Sequence, residues 1–128
     1  MRVLLITAQG PSSSSGFDLD TKASDRAAEC TAAFAAMCDL IAELPIPTVC
    51  GLNGNVYGRA TDLALACDFR IGVHGCHLQM SPSRLGIQYY YSGLRRYAER
   101  LGLSEAKRLL LTGEQAGRTE CVIPAPSP

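Results

Sequence analysis

Residues 44–75, LPIPTVCGLNGNVYGRATDLALACDFRIGVHG, contain the pattern that decides the fold. Thr48–Asn53 and Asp68–Val73 are short apolar runs typical of buried strands, and Ala60–Cys67 between them is typical of a short helix. The composition of Gly54–Gly58 predicts a turn that leads from the first strand into the helix. Strands joined through a helix over such a distance run parallel, because the right-handed crossover packs back onto the sheet. This stretch therefore predicts an α/β fold.

The segments on the N-terminal side extend the same alternation of strands and helices. Arg2–Ala8 is a third apolar run and predicts a strand, which is followed by a Gly-, Pro- and Ser-rich loop at Gly10–Gly16. Ser24–Leu44 has apolar residues at three- and four-residue spacing and predicts a long helix. We expect Ser24 or Asp25 to cap its start and the prolines that follow to end it.

The C-terminal side contains one further predicted element. Leu101–Leu111 predicts a helix, with Ser104 as its N-cap and Gly113 just past its end. Beyond Gly113 the chain shows no hydrophobic period, and prolines are concentrated at its end. We therefore expect a loosely ordered tail.

Length, composition and charge narrow the class of protein. The 128 residues suit one domain, and a 47% hydrophobic content is enough for a packed core. Lysine plus arginine and aspartate plus glutamate both number 12, so the net charge is zero. This balance removes the electrostatic case for non-specific binding to nucleic acid or anionic membranes. No apolar run reaches the roughly 20 residues that a membrane-spanning helix needs.

Six cysteines could suggest disulfides, but we expect reduced and mostly buried thiols. Several of the cysteines occupy apolar positions of predicted helices or strands, where cysteine behaves as a small hydrophobic residue. The apolar start Val3–Ala8 is too short for a signal peptide. These features predict a reducing compartment: the cytoplasm, or mitochondria or peroxisomes in a eukaryote.

Residues 44–113 resemble the crotonase (enoyl-CoA hydratase/isomerase) superfamily. The resemblance is carried by residues 44–75, by SPSRLGI at 81–87 and by RYAERLGLSEAKRLLLTG at 96–113. Upstream, SSSGFDLD at 13–20 is similar to the Gly-x-Asp-Leu loop of the family. The resemblance implies a crotonase-like (ClpP/crotonase) spiral of βαβ units, incomplete because family members are longer. It places a partial core at residues 1–113 and a divergent tail at 114–128.

Two glycine-bearing loops, Ser15–Asp18 and Asn53–Ala60, follow predicted strands. Ligands bind beyond the carboxyl ends of parallel strands, and two N–H groups aimed at one point stabilise a negatively charged carbonyl oxygen. Without the family, both loops read as ordinary tight turns. The resemblance implies that the N–H groups of Phe17 and Arg59 form such an oxyanion hole for the enolate of an acyl-CoA thioester. The substrate-binding loops would also include Gly16, Asp18 and Gly58.

The acids that the family uses for proton transfer are only partly present. By resemblance, Asp62 matches the first acid and favours the dienoyl-CoA isomerase branch, while Ser83 and Tyr90 occupy positions where family members carry acids. A serine hydroxyl has no useful pKa near neutrality, and an unperturbed phenol is a weak acid. We expect Ser83 and Tyr90 to contact substrate, and the run Tyr89–Tyr91 to form a packed wall.

Arg59 departs from the family pattern, which has glycine there, and leaves two alternatives open. Arg59 precedes Asp62 by three residues, so the two could pair on a helix, which would lower the pKa of the carboxyl. Arg59 could instead reach a phosphate of coenzyme A. Asp20 replaces a family lysine and would repel such phosphates.

By resemblance, the ancestral reaction is double-bond isomerisation or hydration in fatty acid metabolism, for instance β-oxidation. Coenzyme A would enter as part of the substrate, and no further cofactor would be needed. The resemblance also implies that the chain could form a homo-oligomer, which is of the trimer type in the family. The alternative is a catalytically inactive, truncated remnant that binds acyl-CoA or modulates an oligomer. His74, Cys76 and His77 are metal-binding residue types, but their spacing does not match a zinc site, so we expect no metal.

Overall fold

Three parallel strands form the main sheet of the computed structural model, which describes residues 1–10, 14, 27–80, 82 and 89–115. The strands are β1 (Leu4–Ile6), β2 (Thr48–Leu52) and β4 (Phe69–Gly72), in the order β1-β2-β4. In the register, Cys50 lies opposite Ile6 on one side and Arg70 on the other. The predicted parallel sheet is therefore confirmed.

The two faces of the main sheet differ in burial. In β2, the alternate residues Thr48, Cys50 and Leu52 are buried, and they face the core. The register places Leu5, Phe69 and Ile71 on the opposite face, beside Val49 and Gly51, and these three side chains are exposed. The sheet is thus packed on one face only within the part of the chain that the structure describes.

Two helices contact each other on the packed side of this sheet: α1 (Ala27–Glu43) and α2 (Ala60–Ala66). Both match helices predicted from the sequence, with differences of at most three residues at either end. The predicted caps Ser24 and Asp25 lie outside the described residues. α1 ends at Glu43, directly before the Leu44–Pro45 pair that cannot continue a helix.

The motif ACDFRI (residues 66–71) holds β2, α2 and β4 together. Asp68 and Thr48 exchange bonds: the Thr48 N–H donates to Asp68 Oδ2 at 2.9 Å, and the Asp68 N–H donates to Thr48 Oγ1 at 2.8 Å. The Arg70 guanidinium donates to the carbonyl oxygens of Ala64 and Cys67, at 3.3 and 3.1 Å. These carbonyls belong to the C-terminal end of α2, where a cation is favourable.

A second, two-stranded sheet was not predicted. β3 (Val56–Tyr57) pairs in parallel with β5 (Leu78–Gln79), and Val56 and Leu78 enter the core. The sequence predicted a turn over Gly54–Gly58, and that prediction was wrong for Val56 and Tyr57. A two-residue strand has no hydrophobic period of its own, so hydrogen bonds to distant residues stabilise it: the Val56 N–H donates to the His77 carbonyl and the Tyr57 N–H to the Ser14 carbonyl.

The C-terminal helices also differ from the prediction. α3 (Tyr91–Leu101) was not predicted, and the predicted helix Leu101–Leu111 is divided into α4 (Leu103–Lys107) and a π-helical turn (Arg108–Thr112). Gly102, with φ of 84°, separates α3 from α4, because this left-handed conformation interrupts the helix. Ser104 is therefore inside α4 and is not its N-cap. Gly113 ends the π-helical turn with φ of 71°, as predicted.

Side chains from every layer meet in one hydrophobic core, including Leu52, Val56, Leu65, Leu78, Tyr97 and Leu109. Five of the six cysteines are described. All five are free thiols; Cys38, Cys50, Cys67 and Cys76 are buried and Cys30 is partly buried. Cys121 and the tail from residue 116 lie outside the described residues.

Candidate functional site

The loop between β3 and α2 carries two of the predicted site residues, Gly58 and Arg59. Gly58 has φ of 62°, a conformation that glycine adopts without strain, and its N–H donates to the carbonyl of Gln79 at 2.8 Å. Arg59 is the N-cap of α2. Gly16, Phe17 and Asp18, the other half of the predicted oxyanion hole, lie outside the described residues. The convergence of the Phe17 and Arg59 amides therefore stays a prediction.

A largely apolar cleft opens beside this loop, at the carboxyl ends of β1 and β2. Its volume is about 230 Å³. Its lining includes Ile6, Ala8, Cys50, Leu52, Val56 and Leu63. This is the position at which parallel sheets bind ligands, and the lining suits an apolar chain rather than a charged group.

Asp62 lies in the first turn of α2, and its side chain is fully buried, with 0% exposure. Arg96 Nη1 donates to Asp62 Oδ1 at 2.5 Å, and the Tyr89 hydroxyl donates to Asp62 Oδ2 at 3.1 Å. Both carboxylate oxygens are therefore engaged by residues from outside α2.

Arg96 connects this buried carboxylate to a second acid. Its Nη2 atom donates to Asp39 Oδ1 at 2.6 Å, and the Ser92 hydroxyl donates to Asp39 Oδ2 at 3.4 Å. The Arg96 side chain is 8% exposed, whereas that of Asp39 is 42% exposed. The Asp39–Arg96–Asp62 chain thus joins α1, α3 and α2 and runs from the protein surface to its core.

Burial sets the ionisation of this cluster. It raises the pKa of the Asp62 carboxyl, because loss of water outweighs the opposing hydrogen bonds and charge of Arg96 and the hydrogen bond of Tyr89. Burial, together with the nearby Asp62 carboxylate, raises the pKa of the Tyr89 phenol. Cys38 is also close, and burial raises the pKa of its thiol to about 12.

These contacts bear on the alternatives left open for Arg59. The ion-pair partner of Asp62 is Arg96, not Arg59, and the pKa of Asp62 is raised, not lowered. The physical reason is tertiary: α3 brings Arg96 onto the buried face of α2. Contact between Arg59 and a phosphate of coenzyme A stays a prediction.

The tyrosine run divides into three environments. Tyr89 is buried, Tyr90 is half-buried and Tyr91 is exposed. The rings of Tyr89 and Tyr90 pack edge to face with centroids 4.4 Å apart, and their hydroxyl oxygens are 3.4 Å apart. Tyr89 and Tyr90 thus pack together as predicted, but Tyr91 does not join them. Ser83 lies outside the described residues.

The two residues that bind the Asp62 carboxylate, Tyr89 and Arg96, were not predicted to do so from the sequence. Tyr89 was assigned to packing alone, although its hydroxyl contacts Asp62. Arg96 is one of two adjacent arginines in α3, and its neighbour Arg95 is 64% exposed. A weak signal was available, since Gly93 and Tyr97 are spaced to lie on the same helix face as Arg96.

Within the described ranges, no group of three or more histidine, cysteine, aspartate or glutamate side chains is arranged to hold a metal ion. Among those same ranges, no helix is long and apolar enough to cross a bilayer. Cys76 and His77, two of the metal-binding residue types considered from the sequence, lie directly before β5.

Comparison with known proteins gives concordant matches. Residues 1–122 match the family model described as enoyl-CoA hydratase/isomerase. The chain is 34% identical over 123 residues to the enoyl-CoA isomerase/hydratase fer4 of Mycosarcoma maydis, a match that covers 93% of this chain and 45% of that protein.

Solved structures agree with this fold. An enoyl-CoA hydratase from Bacillus anthracis matches with a TM-score of 0.84 and 28% identity, over 93% of this chain and 48% of that one. A putative enoyl-CoA hydratase from Thermobifida fusca YX, solved with acetoacetyl-CoA, matches with a TM-score of 0.77 and 27% identity, over 93% and 52% of the two chains. The fold is therefore crotonase-like, and the chain spans about half the length of these relatives.

Proposed function

Because the chain belongs to the enoyl-CoA hydratase/isomerase family, we propose that it binds an acyl-CoA thioester and stabilises the thioester enolate. The Phe17 and Arg59 amides would hold the carbonyl oxygen, and Asp62 would carry the proton. Double-bond isomerisation or hydration is the corresponding reaction. Coenzyme A is part of the substrate, and no further cofactor is needed.

The observation that carries this proposal is the burial of the Asp62 carboxyl group and its hydrogen bonds to Arg96 and Tyr89. Burial raises the pKa of this carboxyl, so it holds a proton more tightly than an exposed aspartate does, and Arg96 and Tyr89 fix the orientation of its two oxygens. Because the reactions proposed here move a proton next to a thioester, Asp62 is suited to carry that proton.

The apolar cleft supports the choice of an acyl substrate. It is lined by aliphatic side chains at the carboxyl ends of β1 and β2, and Ala60 and Leu63 of α2 also line it. The relative from Thermobifida fusca was solved with acetoacetyl-CoA, which supports an acyl-CoA thioester as the ligand class.

Turnover can be tested directly. The purified chain is incubated with a 2-enoyl-CoA and with a 3,5-dienoyl-CoA, and the loss or gain of conjugated absorbance is followed. We expect Asp62→Asn to lower any turnover by at least about 100-fold, the lower end of what general acid–base groups contribute. Glu99→Gln removes an exposed carboxylate from α3 and is the matched control. An Asp62→Asn variant with full activity would remove Asp62 from the mechanism.

The second candidate is a catalytically inactive protein that binds acyl-CoA or modulates an oligomer. Ser83 and Tyr90 favour it, because neither has the carboxylate that the family uses at those positions. Calorimetric titration with an acyl-CoA separates the candidates: binding without turnover of either substrate supports the inactive protein. Light scattering of the same samples reports whether the chain forms a homo-oligomer such as a trimer.

A further inference from the structure

The enclosure of Asp62 raises a question about how its proton could reach a substrate. The carboxyl group has no exposed surface, and Arg96 and Tyr89 occupy its two oxygens. A β-carbon added to Gly93 of α3 would lie 3.2 Å from Asp62 Oδ2, so the helix backbone also closes over this oxygen. A thioester therefore has no direct access to Asp62, and the proton must pass through a neighbouring group.

Three neighbours are close enough to consider. Arg96 keeps its protons under all ordinary conditions, so it orients the carboxylate but does not exchange with it. The Cys38 thiol is fully buried and has a raised pKa, so it leads no further. The Tyr89 hydroxyl can accept one proton while it donates another, and it already contacts Oδ2.

Tyr90 continues the path from Tyr89 towards the surface. The two hydroxyl oxygens are 3.4 Å apart, and the perpendicular packing of the rings holds them side by side. Tyr90 is the N-cap residue of α3 and is half-buried, whereas Tyr89 is buried, so the path from Asp62 through Tyr89 to Tyr90 leads outwards. Gly93 leaves the space for this ring, because an added β-carbon would lie 2.9 Å from Tyr90 Cε2.

We propose that the hydroxyls of Tyr89 and Tyr90 form a proton relay between the buried Asp62 and the substrate, with Tyr90 as the group that contacts the reacting carbon. The relay presupposes the acyl-CoA chemistry proposed above and identifies the residues through which it operates. Tyr90 is then a catalytic residue, and Tyr89 and Arg96 are positioning residues that act through Asp62.

The proton transfers in this relay balance without a free phenolate. The Asp62 carboxylic acid gives its proton to the Tyr89 oxygen as Tyr89 gives its own to Tyr90, and Tyr90 gives its own to the substrate. The electron pair of the enolate becomes the new C–H bond, and Asp62 is left as a carboxylate paired with Arg96. The reverse sequence removes a proton from another carbon of the acyl chain. The raised pKa of Tyr89 is consistent with a group that always keeps one proton.

The test measures exchange of acyl-chain protons with deuterium oxide by NMR, together with calorimetric affinity for the same acyl-CoA. We expect Tyr90→Phe and Tyr89→Phe to slow the exchange by at least about 100-fold while affinity changes by less than about twofold. Tyr91→Phe is the matched control, because it removes the exposed hydroxyl of the neighbouring tyrosine. We expect this variant to exchange the acyl-chain protons at the rate of the unmodified chain.

Each outcome separates the relay from the function on which it rests. If Tyr90→Phe exchanges acyl-chain protons at the unmodified rate, the relay is overturned. If Asp62→Asn is inactive in the same experiment, the proposed function stands without the relay. Absence of exchange in the unmodified chain overturns both. Because Tyr89→Phe alters the core, its circular dichroism and affinity are compared with those of Tyr90→Phe. Among the described residues, the Tyr90 hydroxyl has one hydrogen-bond partner, Tyr89.

Discussion

At the scale of single residues, two opposing effects set the pKa of the Asp62 carboxyl group. Removal from water disfavours its charge, and the Arg96 guanidinium favours it. The result is a carboxyl with a raised pKa that is nevertheless fixed in orientation by two hydrogen bonds. The proton transfer proposed above needs both the raised pKa and the fixed orientation, and both arise only because α2 and α3 pack together.

The two adjacent arginines of α3 allow a matched test of the buried ion pair. Arg96→Met leaves Asp62 buried without a counter-ion, and we expect the free energy of unfolding to fall by about 3–5 kcal/mol. Arg95→Met removes an exposed pair with Glu99, and we expect a change of at most about 1 kcal/mol. Urea denaturation measures both, and equal losses would show that Arg96 contributes no more than a surface arginine.

The raised pKa of Asp62 also predicts a pH dependence of stability. The folded chain holds this carboxyl proton more tightly than the unfolded chain, so stability falls as pH rises through the folded pKa. The contribution is fully present below the ordinary carboxyl value of 3.8. Asp62→Asn lacks the titrating group.

We therefore expect the unfolding free energy of the unmodified chain to decrease relative to that of Asp62→Asn as pH rises above about 4. Denaturation curves across the pH range measure the difference, and Glu99→Gln controls for the loss of one negative charge. A difference that instead grows with pH would mean that the charge of Arg96 outweighs burial.

At the scale of elements, the start of β2 is held to the start of β4 by the Thr48–Asp68 exchange. Thr48 is buried, with 1% exposure, so its hydroxyl bonds are shielded from water. The Arg70 bonds to the last turn of α2 complete the connection, and they orient the helix that carries Asp62.

Thr48→Val tests this connection because valine has the same shape and no hydroxyl. The Asp68 N–H loses its acceptor, and we expect the free energy of unfolding to fall by about 1–3 kcal/mol. Thr7→Val is the control, since Thr7 is exposed just after β1. Thermal or urea denaturation of the two variants provides the comparison. A loss no greater than that of Thr7→Val would mean that water replaces the missing hydroxyl.

At the scale of the whole molecule, one face of the main sheet carries exposed apolar side chains. Leu5, Phe69 and Ile71 lie together on this face, and parallel sheets normally have both faces covered. The chain covers 45% of the Mycosarcoma maydis relative and 48% of the Bacillus anthracis structure. Apolar surface of this kind favours association.

We expect the chain to associate with increasing concentration, and the double substitution Leu5→Thr with Ile71→Thr to reduce this association. Both side chains are 61% exposed, so the free energy of unfolding should change by no more than about 0.5 kcal/mol for each. Light scattering over a concentration series measures the effect. Leu111→Thr, at 67% exposure on the π-helical turn, is the control and should leave association unchanged. Association that persists in the double variant would assign it to another surface.

Four features were predicted from the amino-acid pattern alone: the strand–helix–strand unit of residues 44–75, the parallel direction of the sheet, the long helix α1 and the family. These features depend on local periodicity, on prolines and glycines, and on motif order, all of which are readable along the chain. Three features became visible only after the chain had folded: the pairing of Arg96 with Asp62, the position of Tyr89 and Tyr90 beside this pair, and the pairing of Val56 with Leu78 in a sheet. The physical reason is that these contacts join residues 22 to 34 positions apart, and burial, which sets the pKa of Asp62, exists only once the helices have packed.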